Sequence, residues 1–389
     1  MQILHLLVLS GHTHRSRPRD LFLTIAGFAL ASAVLAVLLA VPSGLQQAAA
    51  KTGRPDVALA LSTSSFDEAS STLSPQQIQL LGNLPYVARG TDGQSLVAPQ
   101  LLGTTKISDG TQVRSIQVRG VDPQTWRVMG FSDDPFNAIK PGSRALLAGA
   151  MVGSDIGNGQ QKITSVRIRN NDWHLSGRMD RAGSLWDSEL WADLSTLQAD
   201  YQSQSVWSVA LLKLDRPENF QKLKDAVQQD PRLREVRIVR QDYYYQAHTQ
   251  WLAELLYKAT VAVSIILGAG AVLAIGNALG TSFRSRRRES GTLRALGFRS
   301  SSVAASALIE VLIIGALTCV LSLLVLFLTL DGRQFVASSG GHSMFAQLNF
   351  DGRVLVSVFF YTLLLGALAS LIPIWKMSFG SLVDALRAD

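Results

Sequence analysis

Apolar residues run unbroken by charge in four places: residues 21–50, 259–283, 311–330 and 354–375, which are 30, 25, 20 and 22 residues long. Crossing the roughly 30 Å hydrocarbon core of a bilayer takes about 20 mostly apolar helical residues. Buried helices of soluble proteins rarely stay uncharged for so long, so the pattern predicts four membrane spans. Between the first and second spans the pattern changes. Ser74 and Pro75 have the form of an N-cap and first helical residue, leading into 76–81. Residues 112–120 alternate polar and apolar as a half-buried strand does, as do 165–168 and, less regularly, 207–214. Arg216-Pro217-Glu218 opens a helical stretch over 219–228, and 234–239 reads as another strand. Gly142, Gly153, Gly157, Gly159, Gly177 and Gly183 mark turns between these elements. The expected fold class is an α-helical membrane domain of four transmembrane helices plus a mixed α/β extracytoplasmic domain inserted between spans 1 and 2.

This pattern divides the chain into a segment 1–20, a first span 21–42, an α/β domain with a stalk 43–250, a second span 251–283, an inner loop 284–299, a third span 300–330, an outer loop 331–353, a fourth span 354–375 and a tail 376–389. The stalk is expected at Tyr243-Tyr244-Tyr245 and the amphipathic stretch 251–257, with the tyrosines in an aromatic interfacial belt. Ala48 and Ala50 resemble a signal-peptide cleavage site, but the apolar run is longer than the 7–15 residues of a signal core. Span one is therefore expected to be retained. The apolar residues 3–8 fit either an interfacial helix or an unstructured lead-in.

Charge orients the spans. The chain has 389 residues, with 36 Lys and Arg, 29 Asp and Glu, and a net charge of +7. Only 17% are charged, against about 25% in an average soluble domain. Segments 1–20, 284–299 and 376–389 together hold eleven basic and four acidic residues, whereas 51–258 holds 23 basic and 22 acidic. Basic short loops stay inside, which places both termini in the cytoplasm and the large domain outside. The positive charge is thus a topology signal. No basic face with aromatic partners suggests nucleic acid. The single cysteine, Cys319, cannot form an intrachain disulfide.

The sequence offers no catalytic candidate. There is no G-x-x-x-x-G-K-[ST], no G-x-S-x-G and no H-E-x-x-H in the sequence. His12 and His14 read as a surface pair beside arginines rather than metal ligands. Asp133-Asp134 and Asp187 with Glu189 read as solvated carboxylates. No catalytic residue, bound cofactor or metal is expected.

Arg286-Arg287-Arg288-Glu289-Ser290-Gly291-Thr292-Leu293-Arg294-Ala295-Leu296-Gly297-Phe298 is the most specific segment. It resembles the inner-loop signature R-x-R-E-[IL]-[GA]-x-L-R-A-L-G of the FtsX-like permeases, the MacB, LolC and DevC type of ABC transporter. The similarity continues through Ser300-Ser301-Ser302-Val303, Leu308-Ile309-Glu310 and the terminal Ser381-Leu382-Val383-Asp384-Ala385-Leu386-Arg387. In the outer domain it includes Ser188-Glu189-Leu190-Trp191-Ala192-Asp193 and Asp242-Tyr243-Tyr244. Two departures stand out: Ser290 replaces a branched aliphatic, and the glycine-rich face after Glu310 is reduced to Gly315, which argues against close helix packing there.

The inner loop also carries physical information of its own. As one helix, residues 284–299 would extend about 24 Å. Glu289, Leu293 and Leu296 would share a face suited either to a groove on a cytoplasmic partner or to an anionic lipid surface. The resemblance implies that this is the contact with an ABC ATPase subunit, made by Glu289, Thr292, Leu293, Arg294, Leu296 and Gly297. It also implies that ATP is used by that partner and not bound by this chain. The expected setting is a bacterial inner membrane, with a second copy of the permease, surrounding membrane lipids, a periplasmic adaptor and an outer-membrane channel. The expected activity is export of a peptide, antibiotic or lipid-like substrate. Lipoprotein release and FtsX-like regulation of cell-wall hydrolases are the alternatives. Glu310, a polar residue embedded at or inside the membrane boundary, fits either a functional site or an interfacial hydrogen-bonding role.

Overall fold

Nine strands of the described residues join into one mixed sheet, while four long helices account for most of the rest. The computed structural model describes residues 18–108, 113–131, 139–154, 164–285, 287–339 and 342–379. In chain order these form α1 (Pro18–Thr52), β1 (Val57–Ser62), α2 (Pro75–Gly82), β2 (Val97–Ser108), β3 (Val113–Val121), α3 (Pro123–Met129), β4 (Ala145–Gly149), α4 (Ala150–Ser154), β5 (Ser165–Ile168), β6 (Asn171–Met179), β7 (Leu190–Asp193), α5 (Leu194–Asp200), β8 (Val209–Lys213), α6 (Phe220–Gln229) and β9 (Val236–Arg240). They continue with α7 (Gln241–Ser285), α8 (Arg287–Ala295), α9 (Ser300–Leu330), β10 (Gln334–Ser339), β11 (His342–Gln347) and α10 (Gly352–Ser378).

Two units divide these elements. The helical unit holds residues up to Ser43, Glu254–Gly332 and Leu348 onward; the α/β unit holds Gly44–Ala253 and Arg333–Gln347. In the helical unit, α1, α7, α9 and α10 are long and apolar enough to cross a membrane, and at most 33% of the most apolar window of any of them is buried. Ile266, Leu317, Leu328 and Phe360 are all more than 60% exposed. Soluble proteins rarely leave contiguous apolar surface of that extent in water, which argues against four core helices. Phe28 packs against glycines on two helices: a Cβ at Gly315 or Gly366 would lie 3.3 or 3.0 Å from its ring. Gly315 is thus joined by a partner on the neighbouring helix, and close packing survives the reduced glycine face.

In the α/β unit the sheet order is β5-β6-β4-β7-β3-β2-β8-β1-β9. Only β3 with β7 and β4 with β6 pair in parallel among the described strands. The expected helix at Ser74 forms as α2 with a full capping box, in which Gln77 N–H donates to Ser74 Oγ and Gln77 Oε1 accepts from the Ser74 N–H. Alternation along β3 sends Val118 into one core and Gln117, Arg119 and Val121 toward the other side.

Three boundaries differ from the sequence pattern, one being the second long helix, which begins at Gln241 rather than 251. The helix expected to end at 42 continues to Thr52 through Pro42. Its residues Leu45, Ala48 and Ala49, spaced as one helical face, are buried in the α/β core. The outer loop 331–353 contains the hairpin β10–β11, which belongs to the α/β unit. Phe345 donates its N–H to Ser188 Oγ at 2.9 Å, and that hydroxyl donates to the Phe345 carbonyl at 2.9 Å.

Candidate coupling site

The inner loop folds more tightly than a single 16-residue helix. Arg284 and Ser285 belong to the last turn of α7, and α8 covers only Arg287–Ala295, nine residues or about 13 Å. The helix stops at Gly297, whose φ of +95° is a left-handed conformation that favours glycine. Gly297 N–H donates to Arg294 O at 3.1 Å and Phe298 N–H to Leu293 O at 3.1 Å. That pair of bonds is a Schellman cap. Gly297, expected as a contact residue, thus has a conformational job in this structure.

The cap turns Phe298 inward, half-buried against the apolar core of the helical unit. Ser290 and Gly291 form the buried side of α8, and Ser290 Oγ donates to Met377 O at 3.4 Å, tying α8 to the end of α10. A branched aliphatic at 290 could not make that bond. Leu293 and Arg294 are half-buried, Thr292 is exposed, and Leu296 is 73% exposed in the turn beyond the helix. The structure therefore separates Leu296 from the helical strip proposed with Leu293. The side chain of Glu289 lies outside the described residues. Glu310 is half-buried ten residues beyond the start of α9 and is not without a partner. The paired acids at 133–134, the histidines at 12 and 14, the apolar residues 3–8 and the terminal motif 381–387 also lie outside them.

A second polar site was not anticipated. Arg119, 2% exposed, reaches from β3 into a pocket of acids and amides. Its Nε donates to Glu189 Oε2 at 2.6 Å, its Nη2 to Glu189 Oε1 at 2.9 Å and Glu68 Oε2 at 2.7 Å, and its Nη1 to Gln100 Oε1 at 2.7 Å. Gln117 Nε2 donates to Glu189 Oε1 at 3.2 Å. From the first turn of α7, Tyr245 Oη donates to Glu68 Oε1 at 2.8 Å, and the Glu68 N–H donates to Tyr244 Oη at 3.0 Å. Burial works against the guanidinium charge, but Glu189 and Glu68 outweigh it and hold Arg119 well above the usual arginine pKa. Burial, then Glu68, pushes the Tyr245 phenol far up. The cluster fixes the start of α7 to β2, β3 and the approach to β7.

Glu189 and Asp187, read as solvated, are both buried. Asp187 accepts from the backbone N–H of Arg181 at 2.7 Å and of Gly183 at 2.8 Å, while burial raises its pKa. Tyr244 and Tyr245 are buried too, and only Tyr243 of that run is exposed. The signal available in the sequence was the Ser188–Asp193 and Asp242–Tyr244 resemblance, with no indication that a distant arginine joined the two. Among the described residues no group of three or more His, Cys, Asp or Glu could hold a metal.

Residues 21–230 match the family model of the MacB-like periplasmic core domain, and residues 261–382 match that of the FtsX-like permease C-terminal region. The macrolide export ATP-binding/permease protein MacB of Shewanella sp. strain ANA-3 is 24% identical, with 100% of this chain and 60% of that protein aligned. The protein of the same name from Shewanella oneidensis is 22% identical with the same coverage. The chain therefore spans 60% of the length of these curated relatives. The crystal structure of the periplasmic region of MacB from Actinobacillus actinomycetemcomitans aligns 94% of its length with 51% of this chain, at 13% identity and a TM-score of 0.36.

Proposed function

The chain belongs to the MacB-like, FtsX-like permease family of ABC transporters, and from this premise we propose that it is the non-catalytic membrane subunit of a dimeric exporter in the bacterial inner membrane. A separate ATPase subunit binds the turn around Leu296 and the exposed side of α8 on the cytoplasmic face. ATP-driven closure of the ATPases moves α8, and the four helices relay the movement to the α/β unit in the periplasm. There it drives a peptide, antibiotic or lipid-like compound toward an adaptor and an outer-membrane channel.

One observation carries this reading: α7 is a single helix of 45 residues. Its first turn is gripped by the buried Glu68 through Tyr244 and Tyr245, and α8 follows one residue after its last turn. A helix held firmly at one end and next to the coupling element at the other suits mechanical transmission. The positive inner loop favours a cytoplasmic ATPase contact.

Retention of the ATPase tests the reading. Leu296→Asp places a charge on an exposed turn, so the chain alone should fold normally. An unpaired charge buried in the interface costs several kcal/mol, and each ~1.4 kcal/mol is tenfold in affinity. ATPase co-purification should therefore fall roughly hundredfold, with ATP hydrolysis absent from the lone chain. Full retention by the variant would remove the docking site. Cysteines at Gln204 and Ala295 check the orientation, since the native Cys319 is buried. An impermeant thiol reagent should label only the first from outside spheroplasts.

A further inference from the structure

We propose that the groove between α7 and α10 binds one anionic phospholipid, an inference that rests on the membrane-embedded reading above. The groove is a half-open cavity of about 420 Å³ beside the last turns of both helices, within the range of ligand pockets. Its two parts differ in chemistry. Leu273, Leu368 and Ile372 form an apolar wall and are each more than 45% exposed. Arg284 and Lys376 stand at the end where both helices terminate, and Asn277 adds an amide one to two turns earlier. Arg284 Nε donates to Gly280 O at 3.0 Å, which anchors the guanidinium at the rim. Among the described residues no carboxylate pairs with either cation.

The floor explains why the space is open. Pro373 has no N–H to donate to the Ala369 carbonyl, and a Cβ at Gly276 would sit 3.1 Å from that oxygen. Gly276 thus lets the helices approach at one level. One turn later, a Cβ at Gly280 would meet nothing within 4 Å, and the helices leave a gap. Two cations without a described counter-charge above an apolar slot match a phosphate headgroup above an acyl chain, and basic pockets between spans on the cytoplasmic side are suited to such headgroups. A soluble anion would leave the apolar part empty, and an uncharged lipid would leave the cations unmatched.

Native mass spectrometry of the full chain in mild detergent, titrated with phosphatidylglycerol or phosphatidylcholine, tests the site. The wild type should retain one phosphatidylglycerol per chain. Arg284→Gln with Lys376→Gln should lower that retention about tenfold and leave phosphatidylcholine unchanged. Gly280→Leu, whose added Cβ points into the gap and meets nothing within 4 Å, should abolish retention. Unchanged retention in both variants would overturn the proposal. Displacement by millimolar glycerol 1-phosphate would reassign the site to a soluble phosphate. Loss of self-association in Gly280→Leu with lipid still bound would assign the groove to a second copy of the chain. Release of the wild type from membranes by alkaline extraction would instead overturn the membrane reading itself. A membrane-integrated wild type that retains its ATPase but no phosphatidylglycerol would overturn this inference alone.

Discussion

Arginine is used in opposite ways in the two units. In the α/β unit, Arg119 is 2% exposed and meets two carboxylates and an amide, all with donor–acceptor distances of 2.9 Å or less. At the α8 end of the helical unit, Arg284 and Arg299 are exposed and form no ion pair with a described carboxylate. A guanidinium removed from water must recover its solvation from fixed partners, so Arg119 can serve only the fold around it. Exposed guanidiniums remain free for lipid or protein. The contrast shows that charge type alone does not separate a structural residue from one available for recognition.

Removing the buried charge should have the largest effect. Arg119→Met leaves Glu68 and Glu189 buried without their counter-charge and should cost about 3–5 kcal/mol, read as a lower denaturation midpoint of the α/β unit. Arg299→Met, at an exposed position with no side-chain cap bond, should change stability by less than about 0.5 kcal/mol. Similar losses for both would break the comparison. Tyr245→Phe removes one hydrogen bond to a buried carboxylate and should cost about 1.5–3 kcal/mol. Hydrogen exchange should then speed up in the first turns of α7 before the rest of that helix. Gly297→Ala keeps the charges but strains the Schellman turn by about 1–2 kcal/mol. ATPase binding should weaken with it if the position of Leu296 depends on that turn, and a variant with unaltered binding would separate the two.

The smallest effect concerns pH. Asp56 is held at about 2 although burial raises it, because hydrogen bonds from Arg54 and Lys213 act more strongly in the other direction. A depressed carboxylate contributes stability above its unfolded pKa of about 4. That contribution is lost as pH falls from about 4 through the folded value of about 2. At an only partly buried site it should amount to about 1 kcal/mol. Asp56→Asn should flatten the acid limb of the stability profile over that window, and an unchanged limb would assign it to other carboxylates.

Hydrophobic length was legible along the chain because it is a local quantity: four long uncharged runs become four helices whatever lies around them. The Ser74 cap was legible for the same reason, since its partner Gln77 lies three residues away, and the alternation of β3 was legible because it repeats along one strand. The inner loop was legible as a charged segment but not in its shape. Its end depends on the left-handed Gly297, and its buried side depends on a hydrogen bond from Ser290 to Met377, 87 residues away.

What the sequence determined by itself was therefore the number of apolar helices, the mixed character of the intervening domain and the local capping that starts its elements. Only the tertiary structure decided that Glu68, Arg119, Glu189 and Tyr245 form one buried cluster, that a short hairpin from residues 334–347 completes the α/β core, and that Gly280 faces open space. Periodicity records whether a residue repeats along one element, and it contains no term for what a fold brings to that residue from elsewhere. Glu68 and Tyr245 are separated by 177 positions yet share a hydrogen bond of 2.8 Å, and the burial that makes this bond matter exists only once both are in place.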